Sequence, residues 1–307
     1  MPDYAALAGE LSSALPELEI RENEPMSEHC SFRIGGPARL MLLPGSAAQA
    51  AAALGMLRRA GAQTLIMGNG TNLLIPDGGY AGAVVCMSRP MSELAALDGG
   101  RIRAGAGATL AAAAVFAAER GLSGLEFAHG IPGSLGGGVT MNAGAYGGEL
   151  CQVVVETRCL TPEGELETVR GAEHAFGYRT SAFADGSRLI LGAKLALERG
   201  DPAAIRARMD DLAARRREKQ PLEWPSAGST FKRPEGYFAA ALIEQCGLKG
   251  LRVGGAQVSE KHAGFVINAG GATCADILGL MARVRSEVFA RTGVTLEPEV
   301  KLLGCTL

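Results

Sequence analysis

Two glycine-rich segments in this 307-residue chain have the composition needed to close a backbone around an anion. The first is Gly68-Asn69-Gly70-Thr71-Asn72-Leu73-Leu74, directly after the apolar run Thr64–Met67. Glycine lets the main chain approach a ligand closely, and successive N–H groups in such a loop form an anion-binding concavity. Asn69, Thr71 and Asn72 add side-chain donors. The segment is not the GxGxxG fingerprint, because Leu73 occupies the sixth position, and no Gly-Lys-Ser or Gly-Lys-Thr makes it a P-loop. The second segment, GIPGSLGGGVTMNAGAYGG, runs from Gly130 to Gly148 and holds eight glycines in 19 residues. Average usage of about 7% would give one or two. Ile131, Pro132, Leu135, Val139 and Met141 are apolar anchors that a flexible linker would not need. An ordered, pyrophosphate-cradling loop is therefore the better account. Gly105-Ala106-Gly107 is a shorter segment of the same kind. Two such loops without an acid–base triad point to a bound dinucleotide, and the residues alone do not choose between flavin and nicotinamide.

Such loops need a rigid frame, and the composition supplies one. Hydrophobic residues make up 47% and charged residues 20%, as in a globular chain with a sizeable core. Lys+Arg total 30 against Asp+Glu 32, a net charge of −2, which disfavours a dedicated nucleic-acid partner. The run Arg215-Arg216-Arg217 reads as a solvated helix face and is left out of the site. No stretch reaches the roughly 18 apolar residues of a membrane helix, and the N-terminus lacks a signal pattern. Seven scattered cysteines without a CxxC pair, and four histidines without ligand spacing, predict no disulfide framework and no metal site. A cytoplasmic protein without membrane insertion is expected.

The hydrophobic pattern predicts helices over Ala47–Ala60, Leu110–Arg120, Pro202–Lys219 (with Asp201 as its cap), Tyr237–Cys246 and Thr273–Arg291. Strands are expected at Leu40–Leu43, Thr64–Met67, Ala83–Cys86, Arg101–Ala104, Val153–Leu160, Leu166–Val169, Leu189–Ala196, Phe265–Ile267 and Val300–Leu303. Consecutive strands without intervening helices argue for an α+β fold, and a change of character near residue 200 suggests a domain boundary there.

The ordered segments SFRIGGPA (31–38), GNGTNLL (68–74), GIPGSLGGGVTMNAGAYGGE (130–149), GYRTS (177–181), QPLEWPSAGSTFKRP (220–234), VSEKHAGFVIN (258–268) and LEPEV (296–300) closely resemble the UDP-N-acetylenolpyruvoylglucosamine reductase family, in its shorter subgroup. Cys30 and Gly138 depart from that pattern, where threonine and alanine are more usual. The resemblance implies a two-lobed FAD-binding domain of the vanillyl-alcohol-oxidase type over 1–199, with lobes of roughly 1–80 and 81–199. A substrate-binding domain over 200–307 follows, its last strand carrying a catalytic glutamate. It implies an NADPH-dependent flavoenzyme of peptidoglycan precursor synthesis that reduces UDP-N-acetylglucosamine-enolpyruvate to UDP-N-acetylmuramate. Its partners would be that nucleotide sugar and NADPH, with no obligate protein partner.

By the same resemblance, Arg179 stabilises developing carboxylate charge, Ser229 donates a proton and Glu299 is the catalytic glutamate. Without it, these residues read as a surface ion pair, a turn serine and the solvent face of a strand. FAD contacts would come from Gly68, Asn69, Gly70, Thr71, Asn72, Ile131, Gly133, Ser134, Gly136, Gly137, Asn142 and Ala143. Substrate contacts would come from Tyr178, Arg179, Lys219, Ser229, Lys232 and Arg233. Lys232 could also polarise Ser229. His262 would orient substrate or pack, and Trp224 would pack. Two competing readings are an FAD oxidoreductase acting on a small alcohol and a flavin-binding regulator without catalysis.

Overall fold

A computed structural model describes residues 2–87 and 91–307. The chain is α+β and divides into two compact units. One comprises Met1–Asn23, Arg39–Asn69 and Gly82–Arg216; the other comprises Glu24–Ala38, Gly70–Ala81 and Arg217–Leu307.

The first unit holds two large sheets, the first of them without its strand ends at 24–25, 37–38 and 80–81, and two two-stranded ones. Strands Glu19–Pro25, Pro37–Leu43, Tyr80–Cys86 and Thr64–Met67 are neighbours in that order, and Thr64–Met67 runs parallel to Tyr80–Cys86 with Thr64 opposite Ala83. Helices Tyr4–Ala14 and Ala47–Arg59 bury Leu7, Leu11, Ala50, Ala53 and Leu57 with Leu40, Leu42, Ala83 and Val85 of this sheet. Both helices begin on side-chain caps: Asp3 accepts from the N–H groups of Ala5 and Ala6, and Ser46 from that of Gln49. The second sheet has the order Leu166–Arg170, Val154–Leu160, Leu189–Ala196, Arg101–Gly105, Leu94–Leu97, with antiparallel pairing throughout. Helix Leu110–Ala118, capped by Thr109, packs its leucine and alanines into the core behind that sheet. Because Tyr80–Cys86 belongs to the first sheet, a lobe boundary at residue 80 would cut a strand.

In the second unit, strands Ser226–Ser229, Phe265–Asn268, Ala256–Val258 and Arg252–Val253 form an antiparallel sheet. Helix Cys274–Thr292 buries Ile277, Leu280, Met281, Val284 and Val288, which recur at helical spacing. Thr273 and Asp276 cap it reciprocally, and Gly293 ends it with φ 73°. Leu73–Leu74 pairs in parallel with Lys301–Leu302.

The units differ from a single cut near residue 200, for two reasons. Helix Pro202–Lys219 starts where Asp201 caps it, but its Ile205, Met209 and Leu212 belong to the first unit's core. Conversely, residues 24–38 are tied into the second unit by polar links: Asn268 donates its amide to the Phe32 carbonyl at 3.1 Å, and the Gly36 N–H bonds the Pro76 carbonyl at 3.0 Å. A Cβ at Gly36 would lie 2.2 Å from the Asp77 carbonyl oxygen, so only glycine allows this crossing. Among the described residues no helix is long and apolar enough to cross a membrane, and no His/Cys/Asp/Glu group is arranged to hold a metal.

Candidate active site

Each unit carries part of the expected residue set. In the first, the glycine segment 130–148 is ordered, and it contains a helix that its composition does not suggest, Leu135–Thr140. Ser134 is 2% exposed and its hydroxyl caps this helix by accepting from the Gly137 N–H. Gly105-Ala106-Gly107 braces it: the N–H groups of Gly136 and Leu135 bond the carbonyls of Ala106 and Ala108 at 2.9 and 2.7 Å. The two long loops touch where Gly68 meets Ser134, since a Cβ on Gly68 would stand 2.0 Å from the serine Oγ. At Gly138, where the resemblance leads one to expect alanine, a Cβ would meet Leu150 at 2.9 Å, so the neighbouring side chains suit glycine here.

Asn142 organises the far end of this loop. Its backbone is left-handed (φ 45°) and its side chain is 1% exposed. The amide donates to Glu149 Oε2 and to the Gly177 carbonyl, each at 3.1 Å, and Oδ1 accepts from the Cys151 N–H at 2.9 Å. The side chain is spent on protein partners, so its contribution is to shape the loop. Ala143 continues the same turn, its N–H bonded to the Gly138 carbonyl at 2.8 Å.

The bond from Asn142 to Gly177 also suspends the turn that bears Tyr178 and Arg179. Gly177 and Thr180 close this turn by a β-bridge, and Ser181 hooks it to the Thr140 carbonyl at 2.8 Å. Arg179 sits at its tip with φ 56°, a conformation that costs a non-glycine residue about 1–3 kcal/mol. Its Nη2 donates to the Gly144 carbonyl at 3.2 Å and its guanidinium lies 5.2 Å from the Tyr178 ring centre. The strained turn thus places Arg179 beside the glycine loop. Ile131 is the partly buried anchor that packs this loop on the unit's core.

In the second unit, Ser229 ends strand Ser226–Ser229, opposite Phe265 and after an irregularity in the pairing. Gly228 before it has φ 77°, a backbone that favours glycine, and a Cβ there would meet nothing within 4 Å. Thr230 fixes the strand end: its N–H bonds the Gly264 carbonyl at 2.9 Å and its hydroxyl accepts from the Val266 N–H at 2.9 Å. The segment 230–232 pairs with 297–299, through Glu299 N–H to the Thr230 carbonyl and Lys232 N–H to the Glu297 carbonyl, both 2.8 Å. Ser229 and Glu299 are thereby carried by hydrogen-bonded neighbours. Asn72 extends the array, its amide donating to the Glu299 carbonyl at 3.0 Å. Gly70 joins the same array through its carbonyl, which accepts from the Ser31 N–H at 3.1 Å.

The expected substrate cations are dispersed. Lys232 pairs with Glu297 at 3.4 Å rather than with Ser229, and Arg233 lies over the Phe238 ring at 4.4 Å. Lys219 is exposed and lines a cavity of about 260 Å³ with His262 and Lys261. His262 accepts from the Gly264 N–H at 3.1 Å and meets Phe265 edge-on. Burial holds the His262 imidazole below its ordinary pKa, helped by Lys249 and opposed by Glu244. Trp224, expected to pack, is 44% exposed.

The residues present fit a dinucleotide. In the first unit Gly68 lies against Ser134 with no room for a Cβ, and Gly133 has positive φ; in the second unit Gly70 has positive φ. Two buried polar atoms lack partners among the described residues, and each adjoins a glycine segment: Nδ1 of His129, just before Gly130, and the hydroxyl of Ser31, whose N–H bonds Gly70. Neither was anticipated, because a lone serine or histidine carries no pattern.

Arg216 was also missed. It is 7% exposed and donates to the Gly130 carbonyl. Its spacing held the signal: Ile205, Met209, Leu212 and Arg216 form one buried helical stripe.

Comparison with known proteins identifies the family. Residues 38–170 match the family described as FAD binding domain, and residues 220–303 match UDP-N-acetylenolpyruvoylglucosamine reductase, C-terminal domain. The reductase of that name from Syntrophomonas wolfei is 46% identical over 96% of this chain and 98% of its own length. That from Caldanaerobacter subterraneus is 45% identical over 97% and 98%. The crystal structure of UDP-N-acetylenolpyruvylglucosamine reductase from Thermus caldophilus superposes with TM-score 0.77 at 30% identity, covering 93% of this chain and 98% of that one. The chain belongs to the UDP-N-acetylenolpyruvoylglucosamine reductase family.

Proposed function

We propose that this chain reduces UDP-N-acetylglucosamine-enolpyruvate to UDP-N-acetylmuramate with NADPH, in the cytoplasm, with Arg179, Ser229 and Glu299 as its catalytic set. The observation that carries the reading is the pairing of residues 230–232 with 297–299, which sets Ser229 and Glu299 on bonded neighbours. Bound FAD would supply the hydride transfer from NADPH to the enol double bond. Gly68, Asn69, Gly70, Thr71 and Asn72 of one loop and Ile131, Gly133, Ser134, Gly136 and Gly137 of the other would hold it, with Asn142 and Ala143 shaping the second loop.

The remaining chemistry belongs to side chains. Reduction of the enolpyruvyl ether puts negative charge on the carbon next to the carboxylate, and that carbon must gain a proton. The Ser229 Oγ–H donates it, which is feasible because a carbanion-like enolate is a far stronger base than a carboxylate. Arg179 binds the substrate carboxylate, where a planar guanidinium offers two parallel donors. Glu299 acts either protonated or hydrogen-bonded during the proton transfer, because a bare carboxylate would repel the anionic substrate. Tyr178, Lys219, Lys232 and Arg233 contact the nucleotide sugar. The Lys232–Glu297 pair is largely exposed and worth about 0–1 kcal/mol, so Lys232 can exchange partners at little cost.

NADPH oxidation that depends on the UDP-enolpyruvyl sugar is the expected result in a steady-state assay. Turnover of small alcohols without the sugar would favour the alternative oxidoreductase, and flavin binding without any turnover would favour a regulator. Arg179→Lys should lower kcat by roughly a hundredfold, because a lysine cannot fork onto the growing charge. Both residues would bear the same φ strain, so backbone effects largely cancel. A variant retaining most of its kcat would remove Arg179 from charge stabilisation.

A further inference from the structure

Arg216 is a charge without a counter-ion. Its side chain is nine-tenths buried or more, yet among the described residues no carboxylate pairs with it. Its neighbours are neutral. Nη1 donates to the Gly130 carbonyl, and the guanidinium lies 5.8 Å from the Tyr146 ring centre. Burial depresses the guanidinium pKa, while Tyr146 opposes that shift. The seat is close: a Cβ on Gly130 would lie 3.0 Å from Nε and 3.1 Å from Cδ, so a larger residue there would make the arginine shift. Gly130 and Tyr146 stand near the two ends of the glycine-rich loop, and Tyr146 is itself left-handed with φ 54°. One side chain from helix Pro202–Lys219 therefore bonds one end of the loop, faces the Tyr146 ring near the other and leaves a net positive charge beside it.

Withdrawing an ion from water costs several kcal/mol unless an opposite charge compensates. Hydrophobic packing alone could be supplied at this position by methionine, which would continue the stripe of Ile205, Met209 and Leu212 without that cost. A buried cation with only neutral partners is explained by an anion that arrives with a ligand. The loop it fastens is the one assigned above to the dinucleotide.

Resting on that assignment, we propose that Arg216 is a positioning residue for the cofactor loop whose buried charge is neutralised by the diphosphate of the bound dinucleotide. Two consequences separate this role from that of a plain structural brace. The residue costs the apo-protein stability and returns it only in the complex. Its contribution also discriminates ligands by their phosphates and not by their ring.

The experiment uses the full-length apo-protein, titrated by calorimetry with FAD and, separately, with riboflavin, which has the same ring and no phosphate. For Arg216→Met the expected result is a loss of FAD affinity of roughly tenfold to a hundredfold, with riboflavin affinity changed less than threefold. Its apo form should unfold at or above the temperature of the wild-type apo-protein. Equal losses for the two ligands, or an apo form destabilised as much as the complex, would overturn the proposal. Should Arg216→Met not fold, Arg216→Lys decides: retained discrimination between FAD and riboflavin supports the charge, and lost discrimination refutes it. A wild-type protein that binds riboflavin and FAD equally contradicts the Arg216 proposal alone, whereas one that binds neither removes the cofactor assignment itself.

Discussion

Ser229→Ala is expected to leave reduction of the flavin by NADPH unchanged and to slow its re-oxidation by the UDP-enolpyruvyl sugar by roughly 10² to 10⁴-fold, the range of a positioned general acid. The two half-reactions part company because only the second needs a proton delivered to carbon. The substitution is structurally mild. Strand register near residue 229 is held by Thr230, through its bonds with Gly264 and Val266, and by the Thr230–Glu299 link. None of these involves the Ser229 hydroxyl, so the variant should unfold within about 0.5–1 kcal/mol of the parent. Stopped-flow absorbance of the flavin separates the two phases. Undiminished re-oxidation by the sugar would remove Ser229 from the chemistry, and slowed reduction by NADPH would give it a different role.

The second large effect is on stability. Asn142→Ala removes two donors and one acceptor from a side chain that is 1% exposed, leaving the Cys151 N–H, the Glu149 carboxylate and the Gly177 carbonyl to find new partners. Each orphaned group costs about 1–3 kcal/mol, and alanine tolerates a left-handed backbone less well than asparagine. A total loss of about 3 kcal/mol or more is expected, a fall in Tm on the order of 5–10 °C. The Arg179 turn hangs from the same residue, so FAD retention and kcat should fall with it. Asn142→Gly separates the causes, since glycine relieves the φ term and keeps the hydrogen-bond loss. The glycine variant should recover about 1 kcal/mol relative to alanine. Equal Tm for wild type and Asn142→Ala would show that the three bonds contribute nothing net.

Elements with their own periodicity were legible in the sequence. Leu189–Ala196 and Thr64–Met67 have the bounds expected of short buried runs, and Pro202–Lys219 starts at its Asp-Pro signal. The family and cofactor came from the ordered glycine loops and their resemblance, and relatives at about 45% identity bear them out. What stayed hidden depends on contacts distant in sequence. Leu135–Thr140 contains three glycines, each costing a helix about 1 kcal/mol, and it forms because Gly136 packs on Ala106 and Gly138 under Leu150 and Leu110. The discontinuous units rest on links such as that between Asn268 and Phe32, which no local pattern encodes. Arg216 was hidden differently. Read as one of three consecutive arginines it looks solvated, and read at helical spacing it extends an apolar face.

One anaerobic cuvette decides whether this chain is a flavin-dependent reductase of the UDP-enolpyruvyl sugar. The visible spectrum of the purified protein is recorded, then NADPH is added, and then the UDP-enolpyruvyl sugar. A flavin band that bleaches with NADPH and returns in full with the sugar is the expected result. A band that bleaches and stays bleached would contradict the substrate, and a protein with no flavin band even after reconstitution with FAD would contradict the assignment altogether.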